Sequence, residues 1–530
     1  MNKQYLLVGA LGLLLGLSAC NTEDELIEER LENNPDPSVE LSGNPGSADF
    51  SRYVAVGNSI SAGLMDAALY TEGQQNSFPN ILAQQFQIEG VNGGTFNQPD
   101  INSENGFNVS INAIPPQAGA PIFGRFKLDL SIPGPVPTQG EPIGAYSGDI
   151  SQLNNFGIPG MRVIDAVVPG YSQFNPFFGR IAASPTNSLI QQAVAAQGSF
   201  FTIWLGGNDV LGWASSGGLA PDGEVDPLAQ ATNPSTLTNI ESFTAAYTGV
   251  INAMLSVPNA QGVAITIPPV TLLPFYRAVA FNPITLDQAT VDALNTAYQQ
   301  YNGALDAAVE QQALEAEEAA QRKISFTAGA GNAIVMLDED LNDITIIVDT
   351  EGNTNTLPKL RQSTPNDLLL FPIATRLGQD FGNGPYGLQD PATDEFVLTF
   401  DEQVTVNTRL ATFNTIIAQI VASTGGRVAL LDINPLFADI AGITPEQAAL
   451  LGMSAEAQTA ADGQLGLVLD GVNYQPDFSP NGIISTDGIH PNPKGHAIVA
   501  NELIRVINES FGASIPPVNL SPFGTVEVAP

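Results

Sequence analysis

Four stretches of this chain hold residue types that could do chemistry together. VAVGNSISAGLMDA (54–67) sets Ser59 on a tight Gly-Asn-Ser bend at the end of a hydrophobic run. A hydroxyl displayed there can serve as a nucleophile, and Asn58 and Ser59 can equally be ordinary turn and helix-capping residues. STDGIHPNPKGHAI (485–498) puts Asp487 and His490 three residues apart in a turn. That spacing lets the carboxylate reach the imidazole Nδ1 while Nε2 faces outward. WLGGNDVLGW (204–213) places Asn208 just past an apolar run, its amide free to donate. NNFGIPGMRV (154–163) is a turn with two glycines, where backbone N–H groups can approach a ligand closely.

Those residues need a frame to bring them together. Apolar runs at 53–57, 199–205, 262–267 and 427–432 read as strands. Amphipathic patterns predict helices over 78–87, 162–168, 240–256, 288–322, 402–423 and 493–509. Short buried strands alternating with helices argue for an α/β fold with a central parallel sheet covered on both faces. Ligands in such sheets collect at the carboxyl ends of the strands, where Ser59, Asn208 and Pro268 fall. Residues 91–150, with a hairpin around GRFKLDLSI, and residues 275–400, with strand-like AIVML and TIIV runs, read as insertions. Core elements flank both, so 49–515 reads as one enlarged domain, with 516–530 as a C-terminal tail. No internal repeat of fixed period is found.

In order and content the four stretches resemble the SGNH hydrolases, the GDSL-type esterase and lipase superfamily. GNSISAG matches the nucleophile block, Gly160 the glycine block, GGND the asparagine block and DGIHPNPKG the terminal Asp-x-x-His block. The resemblance implies a three-layer α/β/α fold of flavodoxin-like type and a serine hydrolase acting on carboxylic esters. Ser59 would attack the carbonyl, His490 would take its proton, and Asp487 would orient and stabilise the imidazole. The match assigns the oxyanion donors to the Ser59 N–H, the Gly160 N–H and the Asn208 side-chain amide. Asp209 is a rival acid, but the resemblance and the three-residue spacing favour Asp487. His496, inside the last helix, suits a structural or helix-surface role. The Gly-x-Ser-x-Gly motif of the α/β-hydrolases occurs nowhere in the chain. The family's usual Gly-Asp-Ser is here Gly57-Asn58-Ser59, which removes a charge near the site.

The remaining composition sets limits. Fifty-four acidic against seventeen basic residues give a formal charge of −37, which argues against nucleic-acid partners. Residues 1–19 end in Leu17-Ser18-Ala19 before Cys20, the only cysteine, and resemble a bacterial lipoprotein signal peptide. Lipidation of Cys20, an acidic tether over 20–48 and attachment to the outer membrane of a cell envelope, exposed at the surface or not, follow from that resemblance. The substrate expected is an ester of a lipid or an acylated glycan. Carbohydrate O-acetyl esterase is the competing activity, and an inactive glycan- or lipid-binding lipoprotein is the non-enzymatic alternative. Aromatics in the insertions (Phe123, Phe126, Phe275, Tyr276, Phe371, Phe381) can line an acyl pocket or form local core. The PPVTLLPFY run (268–276) is the expected site-edge loop. No cofactor or metal is expected: Asp338, Asp340 and Asn342 mimic the opening of a calcium loop, but Asp343 stands where that loop needs glycine.

Overall fold

The computed structural model describes residues 41–528 except positions 115, 116, 118, 130, 132, 133 and 470. The leader and Cys20 therefore lie outside the described residues.

Five parallel strands form the central sheet: β1 (Tyr53–Gly57), β2 (Asn155–Gly157), β3 (Phe200–Trp204), β4 (Gln261–Ile265) and β5 (Val428–Leu431). Across the sheet they run in the order β5-β4-β3-β1-β2. The register pairs Gly57 with Trp204 on one side and with Gly157 on the other. β1 and β3 are buried along their whole length, as strands covered on both faces must be. The order reverses at β1, so the loops leaving β1 and β3 diverge and open a crevice at the carboxyl end of the sheet.

The helices that position the site are α1 (Ser59–Ala62), α2 (Phe78–Phe86), α3 (Asn208–Ala214), α4 (Ile240–Leu255), α5 (Phe400–Ala422) and α6 (Pro493–Phe511). α2 packs on α6, while α5 packs on α4 and α3. One large apolar cluster joins these helices to the sheet, with Val54, Val56, Phe201, Ile203 and Ile265 fully buried at its centre.

Several expectations needed correction. β2 falls within a stretch read from sequence as a turn; it lacks β-branched residues and is held by side chains instead. Asn154 donates to the Tyr53 carbonyl at 2.8 Å, and Asn155 donates to the Ser61 carbonyl at 2.8 Å. The helix expected over 288–322 is two, Gln288–Glu310 and Ala316–Arg322, with Gln312 in the left-handed region at φ 58°. The break lets Leu314 bury in a small cluster with Leu305 and Ala308. AIVML and TIIV do not pair with each other: Val335–Leu337 pairs with Leu360–Gln362, and Thr345–Ile347 with Thr354–Thr356. The hairpin near GRFKLDLSI is present as Phe123–Leu128 against Pro135–Gln139. Residues 43–48, assigned to the tether, lie on the domain, where the Gly43 N–H donates to Glu89 and the Ser47 N–H to Phe511. The tail also docks, through Glu527 ion pairs to Arg125 and Lys127. Among the described residues no helix is long and apolar enough to cross a membrane.

Candidate active site

Ser59 leaves the sheet where β1 ends. A Cβ on Gly57 would lie 2.0 Å from Ser61 Oγ and 2.9 Å from the Trp204 carbonyl oxygen, so only glycine fits between β3 and the first turn of α1. Asn58 is the N-cap of α1, its Oδ1 accepting from the Ile60 N–H at 3.1 Å. The capping reading of this bend holds for Asn58, and it leaves the neighbouring serine free of that role. Asn58 caps, and Ser59 is left in the first turn with its Oγ turned toward the C-terminal part of the chain.

His490 meets it there. Its Nε2 is 2.8 Å from Ser59 Oγ, and its Nδ1 is 2.8 Å from Asp487 Oδ2. All three residues are buried, with relative exposures of 7–8%. Asp487 is richly supplied with donors. Oδ1 accepts from the N–H groups of Ile489 and His490, and Oδ2 also accepts from the Ala67 N–H at 2.8 Å. Burial would push this carboxyl up, but the His490 imidazole and the converging N–H groups hold it down to about 2. The group orienting His490 is therefore ionised throughout the neutral range.

A second carboxylate, unrecognised in the sequence, supports this arrangement. Asp66 Oδ1 accepts from both the N–H and the hydroxyl of Thr486, and Oδ2 accepts from the Tyr70 hydroxyl at 2.9 Å. Asp66 and Ala67 both sit at positive φ, 55° and 61°, a costly conformation for residues with a Cβ. The strain aims the Ala67 N–H at Asp487 and fixes the segment beside the Asp487–His490 turn. The first insertion seals it from behind, where the Phe126 N–H donates to the Asp66 carbonyl and Arg125 lies 4.3 Å from the Tyr70 ring centroid. Nothing in the local sequence around Asp66 signals this role, because the threonine it holds lies 420 positions away.

The other residues expected to act as oxyanion donors follow β2 and β3. Gly160 stands at φ +76°, itself exposed between buried Pro159 and Met161, and that conformation favours glycine. The loop is pinned at three points. Asn175 donates to the Pro159 carbonyl, Asn208 donates to the Met161 carbonyl at 3.0 Å, and the Val163 N–H donates to Asp209 at 2.8 Å. One amide hydrogen of Asn208 is thereby used, which leaves the second for a ligand. Asn58 Nδ2 lies 3.4 Å from where a Cβ on Gly207 would sit, so the bends after β1 and β3 are adjacent. Among the described residues the N–H groups of Ser59 and Gly160 donate to nothing in the protein.

Asp209, the rival acid, is fully buried and faces Val163. Burial raises its pKa to about 7. His496 is not on a helix surface. It is fully buried, accepts from the Phe78 N–H at 3.2 Å, and is held to about 3 by burial and by the neighbouring His490. It stays a neutral structural imidazole.

The PPVTLLPFY loop reaches the Asp487–His490 turn, where the Phe275 N–H donates to the Gly488 carbonyl at 3.0 Å. Beside it lies an open depression of about 460 Å³ whose lining includes Leu128, Pro274, Ala278 and Phe478. The six aromatics weighed for a pocket are scattered. Tyr276 is fully buried, Phe381 is exposed against Tyr386, and the turn itself is met by the backbones of Phe275 and Phe126, the latter accepting from the Thr486 hydroxyl. The residues that mimic a calcium loop are otherwise engaged: Asp338 pairs with Arg361, and the Asn342 amide donates to Glu318. No family model, curated protein or solved structure matches the chain.

Proposed function

We propose that the chain is a serine hydrolase of carboxylic esters, built on the SGNH plan. The observation that carries this reading is the continuous relay from Asp487 through His490 to Ser59, with 2.8 Å at each link. Ser59 Oγ attacks the ester carbonyl as its proton passes to His490 Nε2. The tetrahedral oxyanion then receives the Ser59 and Gly160 N–H groups and the spare Asn208 amide hydrogen. The C–O bond to the alcohol breaks, and the alcohol leaves with the proton from Nε2. Water, deprotonated by the same nitrogen, attacks the acyl-serine. Collapse of the second intermediate returns the proton to Oγ and releases the acid.

The strand order and the two groups of packed helices support the finer architecture, a flavodoxin-like sheet between two helical layers. The depression beside Pro274, largely apolar with Arg277, Asp477 and Ser479 also in its lining, is the feature that favours acyl groups larger than acetate, and so a lipase or esterase over a glycan O-acetyl esterase. Export and lipidation at Cys20, with the enzyme held at the outer membrane, complete the reading. Replacing Cys20 with alanine should then release the protein from the membrane fraction.

The decisive experiment uses short p-nitrophenyl esters and a fluorophosphonate probe. The wild-type chain should hydrolyse the esters and be labelled at Ser59, whereas Ser59→Ala should do neither and keep its fold. Hydrolysis retained in Ser59→Ala refutes the reading, and an unlabelled wild-type serine favours a binding lipoprotein. Rates on tributyrin against acetylated xylan then separate lipase from O-acetyl esterase.

A further inference from the structure

Away from the triad lies a second group of acids, two of them buried, and the aspartate at its centre has no N–H or hydroxyl donor. Glu339, Asp394 and Glu402 bring one carboxylate oxygen each within 4.8 Å of one another. Asp394 is only 8% exposed, yet neither of its carboxylate oxygens accepts a hydrogen bond. Two such orphan acceptors on one buried side chain are rare in native proteins, because each costs desolvation that nothing repays.

The surroundings make the deficit worse. Glu402 uses Oε2 to cap α5 by accepting from the Thr399 N–H, which leaves Oε1 free. Asp338 and Asp340 add negative charge around the cluster. The basic side chains around these segments serve other groups, with Arg409 paired to Asp222. Arg361 forks onto Asp338 and Asp367, and Lys359 donates to the Glu339 carbonyl and faces Asp343. Burial and the facing carboxylates push Asp394 well above the usual carboxylate range and raise Glu402 to about 7. Three acids this close must share protons or bind a cation.

The geometry points to a calcium site formed by Glu339, Asp394 and Glu402. Oxygen ligands sit roughly 2.3–2.6 Å from Ca²⁺, so two ligands of one ion can be up to about 5 Å apart, which accommodates the spread seen here. Glu339 is exposed and gives the ion an entrance with room for water ligands, while Asp394 and Glu402 supply the buried side. The loop after α3 closes the site. A Cβ on Gly218, at φ +75°, would lie 1.8 Å from Glu402 Oε1, and one on Gly217 would lie 2.1 Å from the Asp394 carbonyl oxygen. The ion would therefore tie the second insertion, which supplies Glu339 and Asp394, to the start of α5 and to the loop that follows the Asn208 helix. This inference is independent of the ester-hydrolase reading.

The test is calorimetric titration of the chelator-stripped full chain with CaCl₂ in moderate salt, paired with thermal unfolding. We expect one saturable site per chain and a melting temperature raised by about 2 °C or more at saturation. Asp394→Asn should weaken binding at least about tenfold and abolish the shift, since it removes the central charged ligand. Glu339→Gln, at an exposed position that folding does not depend on, should weaken binding in the same direction. Absence of a saturable site in the wild-type chain overturns the assignment and leaves a shared proton as the cluster's only occupant. Saturable binding that both variants retain overturns it as well, by placing the ion elsewhere on this acidic surface.

Discussion

Asp487 and Asp394 are both buried aspartates in carboxylate-rich surroundings, and their environments are opposites. Asp487 collects three backbone N–H groups and an imidazole, and its pKa falls to about 2. Asp394 collects no donor, and its pKa rises. Depth of burial is similar, 7% against 8% exposed, so depth cannot explain the difference. What decides the state of a buried acid is the set of dipoles and charges aimed at it. At the triad the fold supplies those donors, down to a strained Ala67. At the insertion it leaves them out, and that is why a cation is expected there.

The same substitution at the two sites should therefore act in opposite directions. Asp487→Asn keeps the shape but favours the wrong imidazole tautomer, and kcat on p-nitrophenyl esters should fall about 10⁴-fold. In the metal-free chain above about pH 9, where Asp394 loses its proton, Asp394→Asn should instead raise stability, by about 1 kcal/mol in denaturant unfolding, by removing an unpaired buried charge. A loss of stability there would break the contrast.

Asn208→Ala should lower kcat about 10²–10³-fold with little change in KM, through loss of one oxyanion donor. Asp66→Ala strands Thr486 and Tyr70 and should cost about 2 kcal/mol of stability together with part of kcat. Asp66→Asn retains an oxygen for Thr486 and should recover most of both, which a purely steric role for this side chain would not require.

The pH dependence of unfolding sharpens the contrast further. Glu402 has a folded pKa of about 7, above the ordinary carboxylate value of about 4. The folded chain thus holds a proton there that the unfolded chain has released, and this stabilisation, complete below about pH 4, is lost as pH rises through about 7. Asp487 runs the other way: its contribution is complete above about pH 4 and is lost as pH falls through about 2. The metal-free melting temperature should accordingly fall between mildly acidic and mildly alkaline pH, and Glu402→Gln should flatten that slope. The smallest effect expected is at Asn58→Asp, which retains the cap to Ile60 and should change melting by less than about 0.5 kcal/mol.

Much of the site was legible because its signals are local. A buried β-branched run ending in Gly-Asn-Ser, and an Asp-x-x-His turn ahead of a helix, are set by contacts a few residues apart. Ser59, Asp487, His490 and Asn208 could therefore be named through the family resemblance that their spacing and residue types carry. β2, Asp66 and the acid cluster could not. β2 has no strand propensity of its own and exists because Asn154 and Asn155 reach across to β1 and α1. Asp66 acts on a threonine 420 positions away, and Glu339 meets Glu402 only after an insertion folds back. The sequence by itself determined which side chains could react and the strands that carry most of them. Tertiary structure alone decided which buried acids receive donors, because hydrogen-bond geometry between distant segments has no period for a linear chain to display.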